Sequence, residues 1–318
     1  MIGVISYLVF FATIASILAI AAMGLNLQWG NTGLFNGGVA AFFGAGAYVT
    51  VLLGGTPQAD HLGGFELFYP LALAGGVLAA GGLSWLVGVL TLKLRYDYLA
   101  IATFGVAVAM ESLVRNAEWL SGGAKGMRGF ERPLEAVIGD PFTFNILFFL
   151  FSAALMVAVY LFLERIIRSP FGRLLRAIRE DEQAARSLGK SPQRVRLMAF
   201  ITGSMIMGLA GGLYATFYAF ISPQDVVATL TFQIWAMLIV GGAGNNRGAI
   251  LGAFLIWAAW TASGWALARF APAETQLYTG TIQFILIGSI IVGMLLWRPQ
   301  GLLPEKLVIS QSGDSNGP

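Results

Sequence analysis

The sequence contains no cysteine and a single histidine, His61, among its 318 residues. Disulfide scaffolds, thiolate metal sites and cysteine nucleophiles are therefore excluded. One histidine cannot build a multi-histidine metal site, and its place in a short polar stretch between apolar runs predicts a solvated side chain. No polar domain carries a basic stripe with interleaved aromatic residues, so we expect no nucleic-acid partner.

Charge is also scarce, because Asp, Glu, Lys and Arg make up 11% of the chain whereas hydrophobic residues make up 57%. An ordinary globular domain is about 45–50% apolar and about 25% charged. The mean hydropathy of +0.75 points the same way. A soluble chain of this length would need far more charge to cover its surface, and a disordered chain would be poor in aromatic residues. The composition predicts a membrane protein.

Long apolar runs give the number of membrane crossings, since about 18 or more apolar residues can cross the bilayer as a helix. The sequence has such runs at 2–24, 33–54, 67–92, 97–114, 143–163, 196–221, 247–265 and 279–297. A further run, 231–244, is short for a straight span and predicts a half-helix or a re-entrant segment. We therefore predict an all-α fold, a polytopic transmembrane helical bundle of about 8–10 spans.

The distribution of lysine and arginine predicts the orientation. These residues are concentrated in the links at 93–97 and 164–196, at Arg247 and after residue 297. Alternation through nine segments places these links in the cytoplasm, with the N-terminus outside and the C-terminus inside. The link 115–142 then falls outside, although it holds basic residues balanced by acidic ones. We expect one transmembrane domain over residues 1–300 and a cytoplasmic, disordered tail over residues 301–318.

Charges inside the apolar runs are almost absent, which argues against a proton- or ion-driven mechanism. Asp97 lies at a segment boundary, and Glu111 lies four residues before Arg115, a spacing that predicts an ion pair. A phosphate-binding loop is also absent, because Gly189-Lys190-Ser191 lacks the glycine that such a loop needs at position 184. We expect no catalytic residue, no metal and no cofactor in this chain.

Polar residues gather beside glycines where one apolar run gives way to the next. Asn26, Gln28, Asn36 and Gly38 belong to this stretch, and a second glycine-rich stretch follows at 241–246. Small residues let membrane helices approach closely, which accounts for most of the glycines. Interrupted helices at corresponding places in two halves of a chain are also typical of a transporter's substrate path, so the four residues are candidates for that path.

The link at 164–196 predicts an amphipathic helix on the cytoplasmic side, over about residues 170–189. Ser169-Pro170 is a typical helix start, apolar residues then recur at three-to-four spacing, and Gly189 supplies a C-cap. Such a helix could lie on anionic lipid with its arginines among the headgroups. The acidic triplet Glu180-Asp181-Glu182 would be repelled there, which favours a groove on a protein partner.

Several motifs resemble those of the permease subunits of branched-chain amino acid ABC importers. They are GLNLQWGNTGL at 24–34, AAFFGAGAY at 40–48, YLAIATFG at 98–105, RSPFGR at 168–173, AIREDEQAARSLG at 177–189 and GGAG at 241–244. The likeness spans nearly the whole chain, and the acidic loop resembles the larger of the two permeases. It implies an ABC-importer permease in a bacterial inner membrane.

The resemblance also implies partners and site residues. The partners are a second homologous permease, two cytoplasmic ABC ATPases, an extracytoplasmic solute-binding protein and the lipid bilayer. The helix that docks on the ATPases would include Arg179, Glu180, Asp181, Glu182, Ala184, Ala185 and Gly189. The solute would be a branched-chain or related amino acid. Two alternatives stay open: a self-sufficient secondary transporter or channel for an amino acid, urea or a short amide, and a structural membrane scaffold.

Overall fold

A computed structural model describes residues 2–58, 62–94, 96–128, 132 and 139–305, and these residues form an almost entirely helical chain. The long and intermediate helices are α1 (Ile2–Gln28), α2 (Val39–Gly54), α3 (Tyr69–Thr91), α4 (Tyr96–Asn116), α6 (Pro141–Arg168), α7 (Pro170–Glu180), α9 (Pro192–Tyr218), α10 (Ala228–Gly241), α11 (Asn246–Phe270) and α13 (Thr279–Trp297). The short helices are α5 (Glu118–Ser121), α8 (Glu182–Ser187) and α12 (Ala273–Gln276). The single histidine lies outside the described residues.

The predicted all-α bundle is confirmed. Seven of the described helices are long and apolar enough to cross a membrane, and α2 and α10 are shorter apolar helices. The run predicted at 33–54 begins as a helix only at Val39, because residues 29–38 leave the helical path after α1. The short run predicted at 231–244 corresponds to α10, which has 14 residues.

The centre of the bundle is formed by α1, α2 and α9, where glycines allow the helix backbones to touch. A Cβ atom on Gly24 would lie 2.6 Å from the carbonyl oxygen of Gly203, and a Cβ on Gly203 would lie as close to that of Gly24. Real Cβ atoms do not approach backbone oxygens so closely, so both positions need glycine. The packing role predicted for most of the glycines therefore holds where α1 meets α9.

The single helix predicted over residues 170–189 is two helices, α7 and α8, and the prediction is wrong at Asp181. The backbone of Asp181 is extended, with φ −148° and ψ 103°. Its carboxylate accepts hydrogen bonds from the backbone N–H groups of Gln183 (2.8 Å) and Ala184 (2.9 Å). Aspartate is a strong N-cap, and here it begins α8 where the apolar periodicity predicted a continuous helix.

The links at one end of the bundle pack on each other. Strand β1 (Met127–Arg128), within the long link at 115–142, pairs antiparallel with strand β2 (Phe220–Ile221), just after α9. Because of this pairing, the two links lie at the same end of the bundle. At the end of the first link, Asp140 caps α6 through hydrogen bonds from Thr143, which hold the pKa of the Asp140 carboxyl below its usual value.

The tail predicted from residue 301 is attached to the bundle over its described part. The backbone N–H groups of Leu302 and Leu303 donate to the carbonyl oxygens of Val240 (3.0 Å) and Gly241 (2.9 Å) at the end of α10. Residues 301–305 are thus bound to the helical domain. Residues 306–318 lie outside the described residues.

Candidate functional site

Residues 29–38, between α1 and α2, form a non-helical segment inside the bundle. Buried backbone groups outside a helix need other partners, because leaving a buried N–H or C=O group unpaired is costly. The N–H groups of Asn31, Gly33 and Leu34 donate to the carbonyl oxygens of Asn26 (3.0 Å), Trp29 (2.8 Å) and Gln28 (2.8 Å). The end of α1 thus provides partners for these three N–H groups.

Side chains at three positions accept hydrogen bonds from N–H groups at the end of the segment and the start of α2. The N–H of Gly37 donates to the hydroxyl of Thr103 in α4 (2.9 Å), and that of Gly38 donates to Asn36 Oδ1 (2.7 Å). The N–H of Ala40, at the start of α2, donates to the hydroxyl of Thr231 in α10 (3.0 Å). The segment is therefore fixed by α1, α4 and α10 together.

The four residues predicted for the solute path are all completely or nearly completely buried around this segment. Asn36 Nδ2 donates to Gln28 Oε1 (2.7 Å), and Gln28 Nε2 donates to the carbonyl oxygen of Phe200 (2.7 Å) and to the Ser204 hydroxyl (3.0 Å) in α9. Asn26 Nδ2 donates to Asn246 Oδ1 (2.8 Å). The three amides have partners within the protein in this state, so they hold the segment in place.

Gly38 has a packing role as well. A Cβ atom there would lie 2.6 Å from the carbonyl oxygen of Thr103. Gly38 therefore lets the segment approach the backbone of α4, and a larger side chain would push α4 away. The assignment of these four residues to the solute path stays a prediction.

An aromatic cluster covers the segment on the side away from the amides. The rings of Phe35 and Trp235 stack at 4.2 Å, and Trp29 meets both edge-on at 5.3 and 5.2 Å. The indole N–H of Trp235 donates to the carbonyl oxygen of Asn36 (2.9 Å). Sequence reasoning did not single out these three residues, although Trp29 directly precedes the glycine-rich stretch and Phe35 lies within it.

Two adjoining cavities of about 700 and about 650 Å³ open beside this cluster. Both are lined by Trp29, Phe35, Ala100, Ile101 and Ala243. The first reaches Asp97 and Arg179, whereas the second continues along Phe104 and Phe232. Volumes of roughly 300–1,000 Å³ are usual for small-molecule sites. The arrangement provides an apolar, aromatic wall with charged groups at one end.

The link that carries α7 and α8 turns much of its predicted docking face inward. Leu175, Ile178 and Ala185 are buried, so the apolar side of α7 and α8 packs on the bundle. Glu182 accepts from Arg196 (2.6 Å) and from Arg186 (2.8 Å). These contacts fix α8 to the start of α9 and correct the expectation that this apolar face is available to a partner.

A different set of residues faces outward from the link. Glu180, Asp181, Ala184 and Gly189 are exposed, and their assignment to a docking surface stays a prediction. Leu188, the C-cap residue directly after α8, is 79% exposed and adds a large apolar side chain to this outward surface. Arg179 instead points into the bundle, where its guanidinium donates to the carbonyl oxygen of Gly30 and forms an ion pair with Glu305 (2.9 Å).

Comparison with known proteins gives the family. Residues 7–296 match the family described as the branched-chain amino acid transport system permease component. The chain belongs to this family. It is 33% identical over 314 residues to the high-affinity branched-chain amino acid transport system permease protein LivM of Escherichia coli K12, a match that covers 92% of this chain and 69% of that protein.

Two further relatives extend the comparison. The LivM protein of Salmonella typhimurium LT2 is 34% identical over 315 residues, with the same coverage of both chains. The permease protein LivH of the same organism is 23% identical over 310 residues, which are 92% of each chain. No solved structure matches the permease significantly. The family and the apolar helices establish a multi-pass membrane transport component and do not favour a self-sufficient carrier or channel.

Replacing Asn36 tests the hydrogen-bonded segment. Asn36→Ala leaves the N–H of Gly38 and Gln28 Oε1 without their partner, and a buried polar group without one costs about 1–3 kcal/mol. We expect a clearly lower midpoint of thermal unfolding for the purified permease. The matched control is Asn116→Ala, because that exposed amide donates only to its own helix, at Ser112. Equal midpoints for the two variants would contradict the role of Asn36.

Proposed function

We propose that this permease moves branched-chain amino acids into the cytoplasm as one half of an importer driven by ATP hydrolysed in partner subunits. The observation that carries the proposal is the aromatic-lined cavity against the non-helical segment. An aliphatic side chain gains about 1.5–3 kcal/mol on leaving water for such a wall. The names of the relatives, which are permeases for branched-chain amino acids, support the same class of solute.

The scarcity of titratable groups in the spans supports ATP as the energy source. The predicted ion pair is present, with Arg115 Nη2 at 2.7 Å from Glu111 Oε1. The carboxylate of Glu111 is therefore already paired with an arginine. A relay of buried carboxylates or histidines, which a proton-driven carrier usually needs, is not found among the described residues of the spans. Energy is then supplied by two cytoplasmic ATPases that dock on the link at 170–189.

A second, homologous permease completes the pathway in this proposal. The cavities open on the side of the subunit, between the 29–38 segment, α4 and α10. A partner subunit that packs against this side would close them. Similarity to both LivM and LivH supports a pairing of two related permeases. An extracytoplasmic solute-binding protein would deliver the amino acid from the opposite side to the ATPases.

The proposed orientation in a bacterial inner membrane has the N-terminus outside and the C-terminus in the cytoplasm. In this orientation the seven long apolar helices and the shorter α2 and α10 all cross the membrane, so the two termini would lie on opposite sides. Pairing of β1 with β2 puts the long link at 115–142 at the same end as the link after α9, which is poor in basic residues. The basic link with α7 and α8 would then face the cytoplasm.

Uptake by a Phe35→Ala variant tests the solute pathway. Loss of the ring removes part of the apolar wall, and we expect ATP-driven leucine uptake to fall about tenfold, the equivalent of about 1.4 kcal/mol. Uptake is measured in proteoliposomes that contain the complete importer and is normalised to assembled complex. The matched control is Phe284→Ala, because Phe284 is exposed and contacts Trp260 away from the cavities.

Two results would contradict the proposal. Normal uptake by the Phe35→Ala importer would remove the cavity from the pathway. Leucine accumulation by wild type given an ion gradient, without ATP or ATPases, would remove the energy source.

Substitution of Leu188 tests ATPase docking. Leu188→Asp replaces an exposed apolar contact with a charge, and we expect the ATPases to be lost on purification of the permease while its thermal stability is kept. The matched control is Leu277→Asp, the same change at a leucine that is 86% exposed at the other end of the bundle. Unchanged recovery of the ATPases with Leu188→Asp would show that the link does not bind them.

A further inference from the structure

We propose that Arg179 transmits movement of the cytoplasmic link to the non-helical segment, and that Glu305 positions its guanidinium for this task. The proposal rests on the proposed docking of ATPases at the link. Arg179 lies in the last turn of α7, two residues before the Asp181 cap that begins α8. Any rotation of α7 and α8 by a docked partner therefore moves its side chain.

The guanidinium of Arg179 connects two distant parts of the chain. Nη1 donates to the carbonyl oxygen of Gly30 in the non-helical segment, and Nη2 donates to Glu305 Oε2 at 2.9 Å. The side chains of Arg179 and Glu305 are only 25% and 20% exposed. Partial burial makes such a charged hydrogen bond stronger and less screened than an exposed ion pair. The contact can therefore transmit a displacement of α7 to the non-helical segment.

Two glycines leave room for this ion pair. A Cβ atom on Gly33, where φ is +74°, would lie 3.1 Å from Cγ of Arg179. A Cβ on Gly244, where φ is +85°, would lie 2.9 Å from the carboxylate of Glu305. Each glycine comes from one of the two glycine-rich stretches of the sequence. Both stretches thus approach the ion pair more closely than side chains would permit.

Glu305 is itself held by the end of α10. The N–H of Leu303 donates to the carbonyl oxygen of Gly241, and Asn245 Nδ2 donates to that of Pro304 (3.2 Å). The N–H of Gly244 donates to Asn26 Oδ1 (2.8 Å) at the end of α1. The non-helical segment after α1, with Trp29 and Phe35, and helix α10, with Trp235, are therefore connected through Arg179 and Glu305 to the link.

The planar guanidinium suits this double contact because its nitrogens donate in fixed, diverging directions. A contact that only stabilised the fold would leave transport by each assembled complex unchanged. A contact that transmits movement would instead determine how much solute crosses for each ATP hydrolysed. The ratio of solute imported to ATP hydrolysed separates these two roles.

The test uses proteoliposomes with the complete importer, including both permeases, the ATPases and the binding protein. For Arg179→Ala we expect leucine imported per ATP to fall about fivefold or more, in the range usual for coupling between sites, while ATPase recovery and hydrolysis persist. The matched control is Arg176→Ala, because Arg176 lies on the same helix and donates only to the nearby carbonyl of Ile167.

Glu305→Ala provides the second variant and a check on the mechanism. It should lower the ratio as well, and the double variant should be no worse than Arg179→Ala alone, because Glu305 acts through Arg179. A wild-type ratio in assembled Arg179→Ala or Glu305→Ala importers would overturn the proposal. Absence of ATP-driven uptake by wild type would instead contradict the proposed function, and the role of Arg179 with it.

Discussion

The structure depends on one constraint: backbone that leaves the helical path inside an apolar bundle needs hydrogen-bond partners other than those of a helix. Many N–H groups of residues 29–38 and of the start of α2 find such partners in backbone carbonyls at the end of α1 and in the side chains of Asn36, Thr103 and Thr231. Gln28 extends the network into α9. Since an unpaired buried group costs about 1–3 kcal/mol, these bonds fix four helices relative to the segment.

The same segment separates two surfaces with different chemistry. Its amides face the protein core, whereas Trp29 and Phe35 face the cavities together with Trp235. An apolar wall held by a polar network has a defined shape, which a wall carried by a flexible loop would lack. At its start the segment meets Arg179, so the wall of the cavities and the link that carries α7 and α8 share a boundary.

Much of the helical fold could be predicted from the sequence, because the hydropathy of a segment indicates a membrane-spanning helix without knowledge of the helices that it contacts. The spans followed from apolar runs, and the amides at 26, 28 and 36 stood out since polar groups are costly there. Periodicity continued through Asp181, so it could not distinguish a mid-helix residue from a cap. The contacts of Trp235 with Asn36 and of Arg179 with Gly30 join residues 199 and 149 positions apart, which no local pattern specifies.

Hydrogen exchange of the permease in lipid nanodiscs tests the central claim most directly, namely that the non-helical segment is a hydrogen-bonded wall and not a mobile loop. The account predicts that the N–H groups of Asn31, Gly33, Leu34, Gly37 and Gly38 exchange as slowly as those in the middle of α1. Exchange of these amides as fast as in an exposed loop, while α1 stays protected, would contradict it.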